Sequence, residues 1–334
     1  MRNHVLIAPD SFKGTYSSRE VAVAIGLGAG VAADICPVAD GGEGTVETLV
    51  SATRGWTSAV DVHDPLERPC SGVLGWTDRE TAVIEAASAS GLTLLAPDER
   101  DAERATSRGT GELIVAAKAA GARTILLGVG GTASTDGGAG AIAAIDESGG
   151  LGEVTLKLLC DVRTTFVNAA RIFAPQKGAD RPTVERLVRR LENFADNLPR
   201  DPRGIPLTGA GGGLAGGLWA RYNAQLVPGA QTILDLVNFD ARLASATAVI
   251  TGEGCFDAQT LDGKLVQEVI TRAHLAGKPV HIVAGSTLYD SERTHAMGIS
   301  SLRLARNEHE MQAAGAEIMA TAQSESVTDG GAIR

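Results

Sequence analysis

Aromatic residues and cysteines are scarce in this sequence, and long apolar segments are missing. Phe, Trp and Tyr make up 4% of the 334 residues. The absence of an 18-residue apolar run predicts no membrane-spanning helix, and the N-terminal MRNHVLIAPD is typical of a first strand rather than of a signal peptide. The four cysteines are widely spaced without a CxxC pair, which disfavours zinc or disulfides and indicates reduced thiols in the cytoplasm. They are Cys36, Cys70, Cys160 and Cys255.

Positive charge is also in short supply. The sequence has 30 Lys and Arg against 40 Asp and Glu, a net charge of -10. Nucleic acid needs a basic face for its phosphate backbone, so we expect neither nucleic acid nor a membrane as a partner. A nucleotide remains a possible ligand, because local glycine turns and a few Lys suffice to bind it. The oligomeric state also stays open, with a homodimer as one option.

Short apolar runs that end abruptly in Gly or Asp predict the secondary structure. Runs of this kind without alternation are typical of strands buried on both faces of a parallel sheet. Helical patterns lie between them, the first beginning at Ser17 with Glu20 three residues later, which predicts a capping box. The alternation of strand and helix predicts the α/β class. The predicted strands are 4–10, 81–87, 124–131, 155–162, 247–254 and 279–286, and the other clear helices are 110–123 and 183–198.

The order of these patterns predicts two domains. The first and the last strands resemble one another, whereas the middle of the chain carries its own strands and glycine turns. We predict a discontinuous, Rossmann-like or flavodoxin-like parallel-sheet domain of residues 1–62 plus 232–334. A second α/β domain, residues 63–231, is inserted in it.

Ligands of open parallel sheets bind beyond the carboxyl ends of the strands, and polar glycine turns follow these strands. In APDSFKGT, Ser11 and Lys13 offer either a cation for phosphate or carboxylate, or a surface Lys beside a helix cap. ADGGEGT contains two carboxylates beside three glycines, more than a turn requires. That pattern favours a site for a metal or a hydroxyl with exposed backbone N–H groups. Its candidate residues are Asp40, Gly41, Gly42 and Glu43.

The turn GVGGTASTDGGAG, residues 128–140, allows two interpretations. Gly128, Gly130 and Ala133 match G-x-G-x-x-A, with Asp146 further on, which would indicate an NAD(P)-dependent oxidoreductase. In a chain with 41 glycines that match is weak. The turn also contains hydroxyls and a carboxylate that suit phosphoryl groups and Mg²⁺ better. Its candidate residues are Gly130, Gly131, Ser134, Asp136 and Gly137.

Further polar residues follow the remaining strands. An acid at a strand end, such as Asp161 in CDV, is a usual place for a base or a metal ligand. Lys177 lies in APQKGAD, and GAGGGLAGG contains Gly211 and Gly212. TGEGCFDAQTLDGK is denser in acids, amides and Lys than a turn requires, and AGS is a small-residue turn. Their candidate residues are Glu253, Asp257, Gln259, Thr260, Lys264 and Ser286.

Common catalytic patterns are absent. None of the six His lies in these glycine turns, which disfavours Ser–His hydrolysis and dehydrogenases with a His base. No G-x-S-x-G elbow occurs. No G-x-x-x-x-G-K-[ST] loop occurs either, so a kinase would need another phosphate-binding architecture.

Taken together, the turns resemble the bacterial glycerate kinase family that lacks a P-loop. The matching segments occur in the family's order over nearly the whole chain: APDSFKGT, ADGGEGT, AVIEAASASGL, TGELI, GVGGTASTDGGAG, CDV, APQKGA, GAGGGLAGGL and ITGEGCFDAQTLDGK. The resemblance implies two α/β domains with the active site in the cleft between them. It also implies ATP and Mg²⁺ as cosubstrates and D-glycerate as acceptor, with 2-phosphoglycerate the usual product.

The resemblance also suggests roles. Asp161 or Asp136 would accept the proton of the glycerate hydroxyl, and Lys13, Lys177 or Lys264 would neutralise developing charge. Mg²⁺ would be held by Asp40, Glu43, Asp136 or Asp257, of which Asp40 and Asp257 are the preferred candidates. The remaining candidates would bind substrate or nucleotide. Cys255 stands where the family usually has Arg, and the loop before Ala174 is short. These departures keep open a glycerate-binding sensor that has lost catalysis.

Overall fold

The computed structural model describes residues 4–30, 33–257, 260 and 265–329. Within them the strands are β1 (Val5–Ile7), β2 (Ala33–Ile35), β3 (Trp56–His63), β4 (Pro69–Trp76), β5 (Thr81–Glu85), β6 (Thr124–Gly128), β7 (Thr155–Cys160), β8 (Gln225–Pro228), β9 (Ala248–Phe256), β10 (Val280–Thr287) and β11 (Ser301–Leu304). The helices are α1 (Ser18–Ala29), α2 (Thr45–Thr53), α3 (Ala87–Ser90), α4 (Arg108–Ala119), α5 (Ala139–Glu147), α6 (Asn168–Phe173), α7 (Arg181–Asp196), α8 (Leu214–Tyr222), α9 (Gly229–Leu236), α10 (Phe239–Ser245), α11 (Leu265–Leu275), α12 (Ser291–Ala296) and α13 (Glu308–Asp329).

The chain divides into two compact units. Unit 1 comprises residues 1–39 and 233–334, and unit 2 comprises residues 40–232. The first boundary thus falls between residues 39 and 40, where the sequence-based layout had 62 and 63. The second falls between 232 and 233, where the layout had 231 and 232.

Unit 1 has a five-stranded sheet in which the strands run parallel, in the order β11-β10-β9-β1-β2. Renumbered within the unit, this is the 2-1-3-4-5 order of flavodoxin-like folds. Val5 and Ile7 pack into a core with α1 and α13, while Leu6, which points to the opposite face, is equally buried. The sheet is therefore covered on both faces, which confirms the α/β prediction for this part of the chain.

Unit 2 has a six-stranded mixed sheet in the order β3-β4-β5-β6-β7-β8. The predicted strands β5, β6 and β7 pair in parallel, as does β8. The antiparallel strands β3 and β4 were not among the sequence predictions. Residues of β3 are mostly exposed because it is the edge strand, so the buried apolar run that marks the central strands is missing there.

The helix predictions agree with local capping. The Ser17 hydroxyl accepts a hydrogen bond from Glu20 N at 3.2 Å, and the Glu20 carboxylate accepts one from Ser17 N at 2.8 Å, so α1 begins with the predicted capping box. Asp180 caps α7 in a similar way, with Pro182 in the first turn. No helix in the described part of the chain is long and apolar enough to cross a bilayer.

Candidate active site

In unit 2, the DGGEG turn after residue 39 packs directly against the carboxyl ends of β6 and β7. A Cβ atom on Gly128 would lie 2.5 Å from Gly41 O, and one on Gly130 would lie 2.9 Å from Gly42 Cα. A Cβ atom on Gly41 would meet Leu159 at 2.9 Å. A side chain at any of these glycines would push the turn away from the strands. The glycines that the sequence analysis selected here allow two backbone segments to approach each other.

Asp40 is held at the start of this turn. It is 9% exposed, and its carboxylate accepts a hydrogen bond from Gly42 N at 2.8 Å. A Cβ atom on Gly229 would lie 2.1 Å from Asp40 O, so the chain after β8 also packs against this residue. Asp40 therefore has a defined position at the carboxyl edge of the unit 2 sheet.

Glu85 ends β5 beside the same turn, and the sequence analysis did not select it. Its carboxylate accepts a hydrogen bond from Val46 N, in the first turn of α2, at 2.8 Å. Burial is the main cause that raises the pKa of Glu85 to about 6, and the nearby Glu43 carboxylate adds to it. Hydrogen bonds from backbone N–H groups at the start of α2 act in the opposite direction. Glu85 lay in a segment that resembled the family, but nothing local marked it as a helix cap.

Asp136 organises the glycine turn that follows β6. The carboxylate is 2% exposed and accepts four hydrogen bonds, from Ser107 N at 2.9 Å, Ser107 Oγ at 2.7 Å, Gly138 N at 3.0 Å and Gly140 N at 3.1 Å. Two of these donors precede or begin α5, and Ser107 precedes α4. The side chain thus joins two helix starts to the turn, and its acceptor sites are used within the protein.

Lys177 is buried beside the same turn. Its ammonium group donates hydrogen bonds to Ser134 O at 2.6 Å and to Thr132 Oγ1 at 3.3 Å, and the residue is 3% exposed. Burial lowers the pKa of Lys177 to about 8, while the charge of Asp136 favours the protonated form. A lysine that the sequence placed among possible charge-neutralising groups therefore also holds the turn in position.

Two of the buried hydroxyls of the turn lack a hydrogen-bond partner among the described residues. They are Ser134 Oγ and Thr135 Oγ1, and both residues are fully buried. Native proteins rarely leave buried hydroxyls unsatisfied, so these two positions suit a polar ligand or water. Both belong to the turn that the sequence analysis assigned to phosphoryl groups.

The glycine-rich segment before α8 has a strong steric reason for its composition. A Cβ atom on Gly212 would lie 2.1 Å from Ser134 O, and one on Gly217 would lie 2.0 Å from Gly137 O. Gly137 N donates to Gly212 O at 3.1 Å. Gly211 and Gly212 thus pack the segment against the turn at 129–138, and their contact with substrate or nucleotide stays a prediction.

The candidate residues of unit 2 lie at one edge of its sheet. Asp161 directly follows β7 and is half-buried. Gly131 lies on the turn after β6, where its carbonyl accepts a hydrogen bond from Leu92 N. The edge also includes Asp40, Glu43, Ser134 and Asp136, with Lys177 bonded behind the turn.

Unit 1 contains a cavity of about 500 Å³ at the carboxyl ends of its strands. This volume is within the roughly 300–1,000 Å³ range of small-molecule sites. The cavity lies where the strand order reverses between β1 and β9, the usual ligand position in flavodoxin-like sheets. The structure thus brings together several predicted residues from opposite ends of the chain. Its lining includes Asp10, Ser11, Lys13, Glu253, Gly254, Cys255, Asp257, Gly285, Ser286 and Arg306.

Asp257, which lines this cavity, is bonded to Thr260. Asp257 N donates to Thr260 Oγ1 at 3.1 Å, and Thr260 N donates to Asp257 O at 3.2 Å. Thr260 is 1% exposed and holds Asp257 in place through these bonds. The predicted residues Gln259 and Lys264 lie outside the described residues.

Arg306 was missed by the sequence analysis. It follows β11, a strand of four residues, SLRL, without the apolar β-branched run used to locate the others. The signal that would have found it is a charged residue directly after a strand, had that strand been predicted.

The chemistry of the cavity suits an anionic, metal-bound ligand. Asp10, Glu253 and Asp257 supply carboxylate oxygens, and Lys13 and Arg306 supply positive charge. No group of three His, Cys, Asp or Glu residues in the described ranges forms a metal site by itself. Mg²⁺ bound to a nucleotide needs only one or two carboxylates, because phosphate and water supply the other ligands.

The two sheets, with polar turns gathered at their carboxyl edges, define an α/β enzyme that acts on a small molecule. A family model described as the glycerate kinase family matches residues 5–150 and 145–327. The glycerate 2-kinase of Escherichia coli K12 is 37% identical over 339 residues, 89% of each chain. A glycerate kinase of Bacillus subtilis 168 is 38% identical over 342 residues, again 89% of each chain. The crystal structure of a Salmonella typhimurium LT2 protein assigned as glycerate kinase 2 is similar over 98% of both chains, with a TM-score of 0.78 and 33% identity.

The chain therefore belongs to the glycerate kinase family. It is an enzyme of that family, a phosphotransferase that acts on an alcohol group, and a kinase takes a nucleotide as co-substrate. The predicted resemblance and the two-sheet α/β fold are confirmed. The oxidoreductase and sensor alternatives are not favoured.

Proposed function

We propose that the enzyme transfers the γ-phosphoryl group of ATP, bound with Mg²⁺, to D-glycerate and forms 2-phosphoglycerate. The observation that carries this proposal is the unit 1 cavity, in which carboxylates and cations from three strand ends meet at the switch point of a flavodoxin-like sheet. Membership of the glycerate kinase family supplies the acceptor. We propose the cytoplasm as the location, for the reason given by the cysteine spacing.

Phosphoryl transfer asks the protein for alignment and for neutralisation of charge on the transferred group. In unit 1, Lys13 and Arg306 would neutralise phosphate or carboxylate oxygens. Asp257 would hold the nucleotide's Mg²⁺, with Glu253 or Asp10 bound through water. Ser11 and Ser286 would donate hydrogen bonds to the ligand. When bound, Mg²⁺ supplies charge neutralisation on the phosphate chain.

In unit 2 we assign proton acceptance from the glycerate hydroxyl to Asp161. Asp136 already accepts four hydrogen bonds from protein groups, so it is the weaker of the two candidates left open by the sequence. Ser134 and Thr135 would donate their unsatisfied hydroxyls to ligand oxygens. Asp40 and Glu43 remain candidates for contact with Mg²⁺ or the acceptor, and Lys177 would act by holding the turn.

ADP release tests the proposal directly. Purified enzyme is incubated with ATP, with and without D-glycerate and Mg²⁺, and the product is assigned by ³¹P-coupled NMR. We expect ADP release only when all components are present, and phosphate coupling to the C2 proton. Release without glycerate, or thermal stabilisation by glycerate without any ADP release, would refute the kinase proposal, and the second result would support the sensor. Coupling to the C3 protons would change only the position of transfer.

A further inference from the structure

Two positive side chains line the unit 1 cavity, Lys13 and Arg306. Lys13 follows β1 and Arg306 follows β11, and β9 and β10 lie between these strands in the sheet. Neighbouring strands are about 4.8 Å apart, so the two strand ends are separated by roughly 14 Å. The cations therefore enter the cavity from opposite sides and suit two different anionic groups, or the two ends of one ligand.

The backbone at Arg306 is firmly fixed. Ala305 is fully buried and its N–H donates to Ala284 O at 2.9 Å, while Arg306 N donates to a Glu310 carboxylate oxygen at 2.7 Å. The other oxygen of Glu310 accepts from the Asn307 amide at 2.8 Å, and Glu310 N donates back to Asn307 at 3.0 Å. In this reciprocal cap of α13, the Glu310 carboxylate accepts hydrogen bonds from a backbone N–H and a side-chain amide. In the part of the chain that the structure describes, the Arg306 guanidinium forms no direct ion pair, although, after the backbone hydrogen bond from Arg306 N, its charge helps to lower the pKa of Glu310.

Small residues of β9 and β10 lie between the two cations, beside the Glu253 carboxylate. A Cβ atom on Gly285 would lie 2.7 Å from Gly254 O, so β9 and β10 approach each other closely at this level. Cys255 is exposed, has a small side chain and lies next to Gly254 on this surface. No side chain at these positions blocks a ligand from reaching Arg306, and none there supplies a competing cation.

We infer that Arg306 binds an anionic oxygen group of the ligand in the unit 1 cavity and thereby sets which end of that ligand lies away from Lys13. The planar guanidinium offers two parallel N–H donors, which match either a carboxylate or a phosphate. The group is therefore the carboxylate of the acceptor acid or a phosphate of the nucleotide. This inference rests on the proposed function, because the ligand that Arg306 would recognise is a substrate of the proposed reaction.

Alkylation of Cys255 measures occupancy of the cavity without requiring turnover. Cys36 and Cys160 are buried, and burial raises their pKa to about 11 and about 12, so they react slowly. The half-buried Cys70 is replaced in a Cys70→Ser background, which leaves Cys255 as the accessible thiol. Iodoacetamide labelling is followed by mass spectrometry with D-glycerate alone, MgADP alone or inorganic phosphate alone.

The variants compared are Arg306→Gln, Arg306→Lys and the control Arg303→Gln. Arg303 is on β11 as well, but its Nε bonds to Glu317 at 2.9 Å and it does not line the cavity. Hydrogen bonds to a charged group are worth about 1.5–3 kcal/mol, so Arg306→Gln should need about 10- to 100-fold more ligand for half-protection of Cys255. We expect an intermediate value for Arg306→Lys and an unchanged one for Arg303→Gln.

The pattern of loss identifies the group. If Arg306→Gln weakens protection by D-glycerate but not by MgADP or phosphate, Arg306 binds the carboxylate. If it weakens protection by MgADP and phosphate but not by D-glycerate, Arg306 binds the nucleotide. In steady-state assays the KM of the same ligand should rise by a similar factor, with a smaller change in kcat. The inference is overturned if no ligand protects Cys255 in the parent, or if Arg306→Gln needs no more ligand than the parent for half-protection. It is also overturned if Arg303→Gln weakens the protection as much as Arg306→Gln does. Absence of ADP release by the parent would refute the proposed function but would leave the labelling result decisive for Arg306.

Discussion

The ammonium group of Lys177 lies 2.6 Å from the backbone oxygen of Ser134. This bond connects the segment after α6 to the glycine turn after β6, which are more than 40 residues apart in the sequence. A buried lysine thus fixes the turn in which the hydroxyls of Ser134 and Thr135 have no partner among the described residues. The charge that this lysine carries has a cost that depends on pH.

The first prediction concerns the stability contribution of Lys177. Burial lowers its pKa from 10.5 to about 8, so the contribution is full above pH 10.5 and is lost as the pH falls towards 8. Between pH 7.5 and 9.5, the parent should gain about 2 kcal/mol of unfolding free energy relative to Lys177→Met. Urea unfolding of both proteins at the two pH values measures this difference. Parallel pH dependence of the two proteins would contradict it.

The second prediction concerns Glu85, whose pKa is raised from 4.5 to about 6, mainly by burial. The protonated carboxyl stabilises the fold below pH 4.5, and this contribution is lost as the pH rises through 6. Glu85→Gln keeps an acceptor for Val46 N and stays neutral. Its unfolding free energy relative to the parent should therefore be about 2 kcal/mol higher at pH 7.5 than at pH 4.

Chemical denaturation at the two pH values checks the prediction for Glu85. Glu80→Gln is a suitable control, because Glu80 is an exposed residue on the loop before the same strand. An equal pH dependence for both variants would show that burial of Glu85 is not the cause.

The third prediction separates the two candidate bases. Asp136→Asn turns amide hydrogens towards buried donors and should lower the unfolding free energy by about 3 kcal/mol. Asp161→Asn should leave stability nearly unchanged, since Asp161 is only half-buried, but should lower turnover by about 100-fold if it is the base. Thermal unfolding and ADP release measured on both variants decide the matter. Near-parent turnover of Asp161→Asn would remove it from the mechanism.

The fourth prediction uses two glycines of the same helix, α1. A Cβ atom on Gly28 would lie 1.7 Å from the backbone oxygen of Gln312, so Gly28→Ala should separate α1 from α13 and lower stability by roughly 1–3 kcal/mol. At Gly26 the obstacle is the end of the Ile35 side chain, which can rotate. Gly26→Ala should therefore stay within about 1 kcal/mol of the parent, helped by the better helix propensity of Ala. Thermal unfolding of the two variants gives the comparison, and equal losses would contradict the close helix contact.

Local patterns were enough to predict the parts of the fold that depend on neighbouring residues. The Ser17–Glu20 capping box, the helix predicted at 183–198 that became α7, and the buried runs that became β5, β6, β7, β9 and β10 are all local features. Strand ends also identified the turns that contain Lys13 and Glu253, and the density of carboxylates and glycines identified the turn that contains Asp40. The motifs in these turns were sufficient for the family, which the comparisons confirmed.

Contacts between distant segments could not be predicted in this way. Ser107 bonds to Asp136 across 29 positions, and Glu85 bonds to Val46 across 39. The residues next to Asp136 and Glu85 in the sequence give no indication of these partners. The edge strand β3 was missed because it lacks the double-sided burial on which the predictions relied, and the neighbouring β4 also has several exposed residues.

By itself, the sequence determined the α/β class, most of the central strands, the polar turns that follow them and the family. Only the tertiary structure decided that Arg306, far from Lys13 in the sequence, lines the same cavity as Lys13. It also decided that the carboxylate oxygens of Asp136 accept hydrogen bonds from groups of the protein. The physical reason is that capping, turn formation and hydrophobic periodicity act over a few residues. The order of strands in a sheet, by contrast, is set by burial and hydrogen bonding between segments far apart in the chain.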